Sequence, residues 1–384
     1  MLKLEDFALS LRRAIRSVSR ALTPHSRQAL RFLALPYCYF FTVNWKICTA
    51  SRLKVALDFL YIFFVLRNYP DNYSTCGLYK TERAKWACFF GSNYNPYQKS
   101  KLVKLVQPDE YNIVFEDKEV CHLLCLSAGL PVPRALGVLD PLLPPAAQIA
   151  ALAAKSTCNR LIAKPVTGAG GKGIFLIERT ADGLRIRHGN EVLAVDGWRP
   201  RERFLVQEFV QQHEDLVAVN PHSVNTVRML TLLTREGEPL VLQAFARFGR
   251  GRSFIDNVSS GGLSVGVDTA TGRLRTVAKD ARANEFDRHP DSLVAFADRQ
   301  LPFWPEALAL GKRAQSSFRF FRMLGLDIGF TPTGPLIVEI NAFPDMGSQE
   351  MDCGPLLSDA RTHKEFARYD LLINRQQKRL HVGS

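Results

Sequence analysis

The chain has 384 residues, of which 46% are hydrophobic and 23% are charged, a composition typical of globular proteins that excludes a disordered or collagen-like chain. This length is enough for two or three domains with a sizeable core. The net charge of +13 is concentrated before residue 108, where 17 Lys and Arg accompany only 5 Asp and Glu. The rest of the chain is therefore close to neutral.

The cysteines and the apolar runs indicate a compartment. The eight cysteines form no C-x-x-C pair and have no histidine at metal-ligand spacing, which predicts buried thiols in a reducing environment. Glu5 and Asp6 precede the basic residues of the N-terminus, and we expect no secretory signal. The longest apolar run, 57–66, is about half the roughly 20 residues of a spanning helix. We expect a cytoplasmic protein, either free or peripheral to the inner face of the membrane.

The N-terminal third, residues 1–107, is predicted to be a basic and mainly helical region. Residues 1–32 have apolar positions at helical spacing with the arginines mostly off that stripe, so they could pack on the protein or lie on a membrane. Residues 33–107 are aromatic and basic but contain no nucleic-acid motif, so we expect no specific nucleic-acid binding. The basic surface could meet an anionic membrane or an acidic polymer, or could simply be solvated.

From Asn112 onward, a series of helices and strands is predicted. Residues 115–128 predict a helix whose acidic residues lie at its positive N-terminal end. Further helices are predicted at 146–155, 305–323 and 360–372. Strands are predicted at 134–139, 160–165, 174–177, 204–210, 225–233, 240–248, 325–330 and 335–341.

Residues 160–178, RLIAKPVTGAGGKGIFLIE, predict two strands joined by a glycine-rich loop. Four glycines within six residues leave backbone N–H groups unshielded by Cβ atoms, which suits phosphate binding. A dinucleotide-binding fold would continue into a helix after G-x-G-x-x-G, whereas a strand is predicted here. The H-R-D and D-F-G tripeptides of protein kinases do not occur. A glycine-rich hairpin tip without a ligand is the structural alternative.

The second notable hairpin carries carboxylates. If it is centred on Thr333, Asp327 lies opposite Glu339, and Asn341 follows on the same face as Glu339. Two carboxylates at that distance repel each other unless a cation joins them. Three oxygen ligands with open positions suit Mg²⁺ shared with phosphates. The alternative is a pair of exposed polar residues at the edge of a hairpin.

Taken in order, these features resemble the ATP-grasp superfamily, and more narrowly the sugar-transfer-associated ATP-grasp proteins and alpha-L-glutamate ligase-like enzymes. The resemblance covers about residues 110–350. Its motifs are FEDK (115–118), KP with GAGGKG (164–173), VQE (206–208), SVNTVR (223–228), SGG with VGVD (260–268), and Asp327 with EIN (339–341).

This resemblance implies an α+β fold in which two α/β lobes grip ATP between them, preceded by the mainly helical N-terminal region. We accordingly expect an ATP-grasp domain at 108–350, with a lid-bearing lobe at 108–210 and a metal-bearing lobe at 211–350. A C-terminal helix and tail would occupy 351–384.

The resemblance also implies which residues bind the nucleotide. Lys118 and Lys164 would hold the α- and β-phosphates of ATP. The lid over the phosphates would contain Gly168, Gly170, Gly171, Lys172 and Gly173. The adenine base would be lined, partly through backbone groups, by Gln207, Glu208, Phe209 and Val210. The ribose contact is open among His213, Glu214 and Asp215, with Asp215 retained as the binding candidate.

By the same resemblance, the Mg²⁺ that bridges the β- and γ-phosphates would be bound by Asp327, Glu339 and Asn341. Arg228 would face the transferred phosphoryl group, with Arg247 as a second catalytic cation. Such a transfer depends on positioning and charge neutralisation more than on a protein nucleophile.

The implied activity is that of an ATP- and Mg²⁺-dependent carboxylate–amine ligase. A substrate carboxylate would attack the γ-phosphate to give an acyl phosphate, and an amine would capture it as an amide. Small-molecule carboxylates and amines are the expected substrates, in sugar-polymer or amino-acid conjugate biosynthesis. A small-molecule kinase on the same fold and a non-catalytic nucleotide-binding regulatory protein are the alternatives.

Overall fold

The computed structural model describes residues 31–92, 95–168, 171, 173–189 and 191–380. The amphipathic helix predicted for residues 1–32 therefore lies almost entirely outside the described residues. In the described part, two antiparallel sheets with helices packed on them form an α+β fold, as predicted. No helix in these ranges combines the length and apolarity needed to cross a membrane.

The helices predicted at 146–155, 305–323 and 360–372 are present with changes at their ends, and the described residues also form helices that were not predicted. The α-helices of the described residues are α1 (Ala34–Tyr37), α2 (Arg52–Phe64), α3 (Pro96–Leu105), α4 (Ile113–Glu116), α5 (Lys118–Ser127), α6 (Pro145–Ala153), α7 (Glu214–Val217), α8 (Trp304–Ser317), α9 (Met346–Cys353), α10 (Ala360–Arg368) and α11 (Arg375–Lys378).

The helix predicted over 115–128 is divided at Asp117. The Asp117 carboxylate accepts hydrogen bonds from the N–H groups of Glu119 and Val120, both at 3.0 Å, and thereby caps α5. This cap places Lys118 in the first turn of α5, at the edge of the cleft described below.

The prediction of a helix over 305–323 is wrong at the C-terminal end. α8 ends at Ser317, because Phe318 and Phe321 turn into the core and Gln315 donates to the carbonyl oxygen of Phe321 at 2.8 Å. The chain then enters β12 at Met323, where buried apolar residues pair with a neighbouring strand.

The first sheet has six strands in the order β1-β6-β2-β3-β4-β5. They are β1 (Ala135–Leu139), β2 (Arg160–Pro165), β3 (Phe175–Thr180), β4 (Gly183–His188), β5 (Glu191–Ala194) and β6 (Phe204–Glu208). β2 and β3 form the hairpin predicted around the glycine-rich loop. One face of the sheet is buried in a core that includes Ile149 and Leu152 of α6.

The second sheet has seven strands in the order β11-β10-β9-β8-β7-β12-β13. They are β7 (Thr226–Leu233), β8 (Pro239–Phe248), β9 (Leu263–Val267), β10 (Leu274–Lys279), β11 (Glu285–Phe286), β12 (Met323–Thr331) and β13 (Gly334–Asn341). Helix α8 packs on one face, where its Trp304 and Leu310 join the main core.

The register of the β12–β13 hairpin is the predicted one at the end that carries the two carboxylates. Asp327 pairs with Glu339, and Gly325 pairs with Asn341. The pairing shifts by one residue between Asp327 and Ile328, so Ile328 pairs with Ile337. The hairpin is thus not centred on Thr333 near its turn, and this irregularity lies directly beside the carboxylate pair.

The N-terminal region packs closely on the second sheet and on the C-terminal helices. Phe90, Leu102 and Val106 belong to the same buried cluster as Leu232 and Phe366. A domain boundary at residue 107 remains a prediction, and this cluster crosses it.

Candidate active site

The two sheets contribute to one cleft, and the space within it and at its opening to solvent is about 820 Å³. Its walls include Ile162 and Lys164 from β2, Thr226 from β7 and Val338 from β13. Most of the predicted site residues in the described ranges line it: Lys118, Lys164, Gly168, Gly171, Gln207, Glu208, Phe209, Val210, Arg247, Asp327 and Glu339. Predictions scattered over more than 200 positions of the sequence thus meet in one place.

Two lysines mark one side of the cleft. Lys118 Nζ donates to the carbonyl oxygen of Gly168 at 2.7 Å and lies 3.8 Å from Glu339 Oε1. Burial lowers the pKa of Lys164, and the nearby Lys118 lowers it further against the opposing effect of Glu339. These ammonium groups would be stabilised by an added polyanion.

Two arginines converge on Asp327 from neighbouring strands. Arg228 lies opposite Asp327 in the β7–β12 pair and donates to both of its carboxylate oxygens. Arg247, on β8, reaches Asp327 Oδ2 with Nη2 at 2.8 Å. Burial alone would raise the pKa of Asp327, but the two guanidinium groups outweigh it and lower that pKa. Asp327 is therefore held ionised at the floor of the cleft.

A second carboxylate, which the sequence analysis left without a role, completes this network. Asp256 Oδ2 accepts from the N–H and the hydroxyl of Thr226, at 3.0 and 2.6 Å, and lies 3.5 Å from Arg247 Nε. Burial raises the pKa of Asp256 against the opposing effect of Arg247. Burial would lower the pKa of Arg247, but Asp256 and Asp327 together raise it. The available signal was the polar loop DNVSSGG, which begins at Asp256.

The residues predicted to bind metal have suitable chemistry. Asp327 and Glu339 are cross-strand partners, and both line the cleft. Asn341 lies opposite Gly325, to whose carbonyl oxygen its Nδ2 donates at 3.4 Å. Carboxylate and amide oxygens are the donors that Mg²⁺ prefers, and a site with so few of them leaves positions for phosphate oxygens. Within the described ranges, no group of three or more His, Cys, Asp or Glu is placed to hold a metal.

The predicted adenine side has fewer open backbone groups than expected. The N–H of Glu208 donates to the carbonyl oxygen of Arg134 at 2.9 Å, and that of Phe209 to Arg160 at 3.1 Å. The Glu208 carboxylate binds Arg134 and the Ser156 hydroxyl, at 3.1 and 2.7 Å. These contacts fix the end of β6, and they leave Glu208 as a structural support beside the cleft.

Several predicted residues lie outside the lining of the cleft or outside the described ranges. Arg228 donates to the cleft-lining Asp327, and Asn341 lies two residues beyond Glu339 on β13. Gly173 lies beside Pro165, and a Cβ atom there would approach Pro165 Cγ to 3.2 Å. Gly170 and Lys172 are not among the described residues.

The ribose candidates do not line the cleft in the described structure. Asp215 Oδ2 lies 3.2 Å from His213 Nδ1, at the start of α7. The N–H of His213 donates to the carbonyl oxygen of Phe330 at 2.8 Å, which anchors this turn to β12. A ribose contact by Asp215, His213 or Glu214 stays a prediction.

The glycine-rich loop of the first sheet contacts the second sheet's side of the cleft at Gly171. This glycine has φ of +71°, and a Cβ atom would lie 2.7 Å from Asn257 Nδ2 and 2.9 Å from Ile255 Cγ2. Glycine is required here both by the backbone conformation and by the close approach. The loop thus packs against the 254–257 segment that carries Asp256.

Two lobes, each built on an antiparallel sheet, enclose a cleft lined by two lysines, an arginine and a carboxylate hairpin, and this arrangement matches the ATP-grasp class. The family model of the sugar-transfer associated ATP-grasp proteins matches residues 97–364, which is more than half of the chain. The chain belongs to this family.

Solved structures of ATP-grasp enzymes were also matched, at low identity. The ADP complex of purK, an N5-carboxyaminoimidazole ribonucleotide synthetase, is 14% identical over 65% of this chain and 48% of its own, with a TM-score of 0.37. The ATP-grasp ligase PsnB, with minimal precursor, Mg and ADP, is 16% identical over 71% and 62%, with a TM-score of 0.37. The D-alanine-D-alanine ligase from Coxiella burnetii is 12% identical over 75% and 68%, with a TM-score of 0.39.

The chain spans about half to two thirds of the length of these matched structures. The comparison with curated proteins gave no significant match.

Proposed function

We propose that this protein is an ATP- and Mg²⁺-dependent carboxylate–amine ligase. The observation that carries the proposal is the meeting of Lys118, Lys164 and Arg247 with the Asp327–Glu339 pair in one cleft. Five phosphate-binding or metal-binding side chains from separate elements would not be needed for a hairpin of purely structural function. Family membership supports the use of ATP.

In this proposal the cleft holds the triphosphate between its two charged walls. Lys118 and Lys164 bind the α- and β-phosphates, and Gly168 to Gly173 cover them. Asp327, Glu339 and Asn341 supply oxygen ligands for Mg²⁺, which would neutralise charge on the phosphates. Gln207 to Val210 line the base, and Asp215 is the candidate for the ribose.

The chemistry proposed for the chain's own residues is positioning and charge stabilisation. A substrate carboxylate oxygen attacks the γ-phosphorus, the bond to the β–γ bridging oxygen breaks, and ADP leaves. The amine then attacks the acyl carbon and phosphate departs, which forms an amide. Arg228 and Arg247, both held on Asp327, are the residues to which we assign stabilisation of the transferred phosphoryl group.

An ADP-release screen tests the proposal. Purified protein is incubated with Mg-ATP and pairs drawn from amino acids or sugar acids and amine acceptors. A ligase releases ADP and phosphate only when both partners are present, whereas a kinase forms ADP and a phosphorylated product with one. Nucleotide binding with no ADP release under any pair would favour a regulatory role. The Glu339→Gln protein serves as the matched control, because it should release no ADP with any pair.

The partners and compartment proposed from the sequence remain part of this proposal. Small carboxylates and amines, in sugar-polymer or amino-acid conjugate synthesis, are the proposed substrates. Cytoplasmic location is proposed from the eight cysteines, which form no C-x-x-C pair in the sequence.

A further inference from the structure

Helix α2 is apolar on two opposite faces although it lies at the surface. Its inner face, with Val55, Phe59 and Ile62, is buried in the N-terminal core. Its outer face is exposed and carries Leu53, Leu57, Leu60 and Phe64, at spacings of four, three and four residues. Within the described residues this outer face stays exposed, and a contiguous exposed apolar stripe marks an interaction surface.

The exposed stripe on α2 is extended at both ends by aromatic side chains. Phe32 lies beside Phe64, with ring centroids 6.2 Å apart. At the other end, Phe40, which is 70% exposed, packs on Tyr39, whose hydroxyl donates to the carbonyl oxygen of Arg52 at 3.4 Å. We name the outer apolar face by its six exposed members: Phe32, Phe40, Leu53, Leu57, Leu60 and Phe64. From Leu53 to Phe64 the stripe is about 17 Å long.

The exposed charges of the segment that carries the outer apolar face are of one sign. Between residues 31 and 67 the basic residues are Arg31, Lys46, Arg52, Lys54 and Arg67. The single acidic residue in this range, Asp58, is buried and binds Lys54 at 2.7 Å, Tyr73 at 2.6 Å and Arg83. Of the charges in the segment that carries the face, only positive ones are exposed, including Lys46 and Arg52.

We infer that the outer apolar face docks this protein onto an anionic lipid bilayer. Exposed leucine and phenylalanine side chains flanked by Lys and Arg match a surface that is apolar below an anionic headgroup layer. A second protein would also cover apolar side chains, but the one-signed charge around them complements anionic lipid directly. The helix would lie in the plane of the interface, mounted on the folded protein. This inference does not depend on the proposed ligase activity.

Vesicle co-sedimentation of the full-length protein tests the inference. The vesicles contain phosphatidylcholine alone, or phosphatidylcholine with added phosphatidylglycerol. One variant combines Leu57→Ser with Phe64→Ser, and the other combines Lys46→Glu with Arg52→Glu. The matched controls are Leu142→Ser, at a leucine that is 89% exposed, and Arg185→Glu, both in the lobe of the first sheet.

We expect the unaltered protein to bind vesicles with phosphatidylglycerol, and this binding to weaken as salt is raised. Each double variant should lower the partition coefficient roughly tenfold or more, while both controls bind like the unaltered protein. Unchanged melting temperatures and nucleotide affinity would show that the variants are folded.

Three results would overturn the inference. One is a failure of the unaltered protein to bind anionic vesicles. Another is undiminished binding by the Leu57→Ser, Phe64→Ser variant, which would place lipid contact elsewhere, for example in residues 1–30. The third combines two observations: the variant and the unaltered protein sediment at different velocities without lipid, and neither binds vesicles. That result would identify a second copy of the chain as the occupant of the outer apolar face.

Discussion

Asp327 and Glu339 are paired across the hairpin, yet their surroundings differ. Asp327 is 2% exposed and accepts from two arginines, whereas Glu339 is half-buried with Lys118 Nζ at 3.8 Å. Loss of the Asp327 charge leaves two guanidinium groups in the protein without their common partner. Loss of the Glu339 charge removes a candidate metal ligand and little structural support.

We therefore predict different outcomes for Asp327→Asn and Glu339→Gln. Asp327→Asn should abolish turnover and also destabilise the fold by about 3–5 kcal/mol, because it breaks a buried ion-pair network. Glu339→Gln should abolish Mg²⁺-dependent turnover with a melting temperature close to that of the unaltered protein. Thermal unfolding and Mg²⁺ titration of ADP release measure both effects. Full turnover of Glu339→Gln at limiting Mg²⁺ would show that the metal assignment is wrong.

Lys164 is predicted to contribute to nucleotide affinity. A charge-assisted hydrogen bond to phosphate contributes about 1.5–3 kcal/mol, so Lys164→Ala should raise the Kd for nucleotide roughly 10- to 150-fold. Titration of a fluorescent ATP analogue measures this. The control is Lys155→Ala, because Lys155 Nζ donates to the carbonyl oxygen of Leu136, away from the cleft. Equal affinities of the two variants would favour a structural role for the glycine-rich hairpin.

At the scale of the element, the glycine-rich loop depends on contact with the opposite wall. We predict that Gly171→Ala lowers nucleotide affinity and turnover, because the new Cβ atom would meet Ile255 and Asn257 at under 3 Å. Gly197→Ala, in the same lobe, has open space around its Cβ position and should behave like the unaltered protein. Isothermal titration with a nucleotide compares them. If the Gly171→Ala protein binds nucleotide and turns over normally, the contact of the loop with Ile255 and Asn257 is not needed for nucleotide binding.

The β12–β13 hairpin shows what the sequence could predict. Its turn and its alternating pattern are local, so the pairing of Asp327 with Glu339 followed from counting along two adjacent strands. The glycine-rich hairpin was predictable for the same reason. Residues that share a motif and a strand face could be placed before any tertiary contact was known.

The remaining features of the site depend on contacts between distant segments. Thr226 and Asp256 are 30 residues apart, and no spacing rule brings them together or shows that Asp327 would be held by two arginines. The end of α8 at Ser317 is set by burial of Phe318 and Phe321, which local helical periodicity does not reveal. Tertiary packing decides such boundaries and partners.

Helix α9 carries buried acids that should make stability depend on pH. Burial raises the pKa of Glu350 to about 8 and that of Asp352 to about 7. Asp71, in the N-terminal region, is raised to about 6 by burial. The folded protein thus retains protons that the unfolded chain releases near pH 4, so this contribution to stability is fully present below about pH 4 and is lost progressively as pH rises from there through about 6–8.

We predict that the free energy of unfolding falls between pH 5 and pH 8, by on the order of a few kcal/mol for the three acids together. Glu350→Gln should reduce this dependence, because glutamine does not titrate. The exposed Glu285→Gln serves as the control. Urea unfolding at both pH values provides the measurement. A flat profile for the unaltered protein, or an unchanged slope in Glu350→Gln, would contradict the prediction.

At the scale of the whole molecule, the N-terminal region is integrated with the lobe that carries the metal-binding candidates. The N–H groups of Phe90 and Gly91 donate to the buried Glu350 carboxylate at 2.6 and 3.1 Å. The Arg322 N–H donates to the carbonyl oxygen of Val106 at 2.8 Å, just before β12 begins. The N-terminal region is therefore in direct contact with the chain just before the strand that carries Asp327.

Phe90 offers the sharpest test of this integration. It is 1% exposed and packs edge-to-face on Phe366, with ring centroids 5.1 Å apart. Phe90→Ala should destabilise the whole protein by about 3–5 kcal/mol, because it leaves a cavity between the N-terminal region and α10. Phe40→Ala, at an exposed position of the same region, should change stability by less than about 0.5 kcal/mol. Both are measured by urea unfolding, with nucleotide binding followed in parallel.

If Phe90→Ala leaves the unfolding midpoint and nucleotide binding unchanged, the N-terminal region is an independent unit, and a chain that begins at Gln107 should fold and bind Mg-ATP alone. If unfolding and loss of binding coincide at a lower urea concentration, the region is part of one cooperative structure with the active-site lobe.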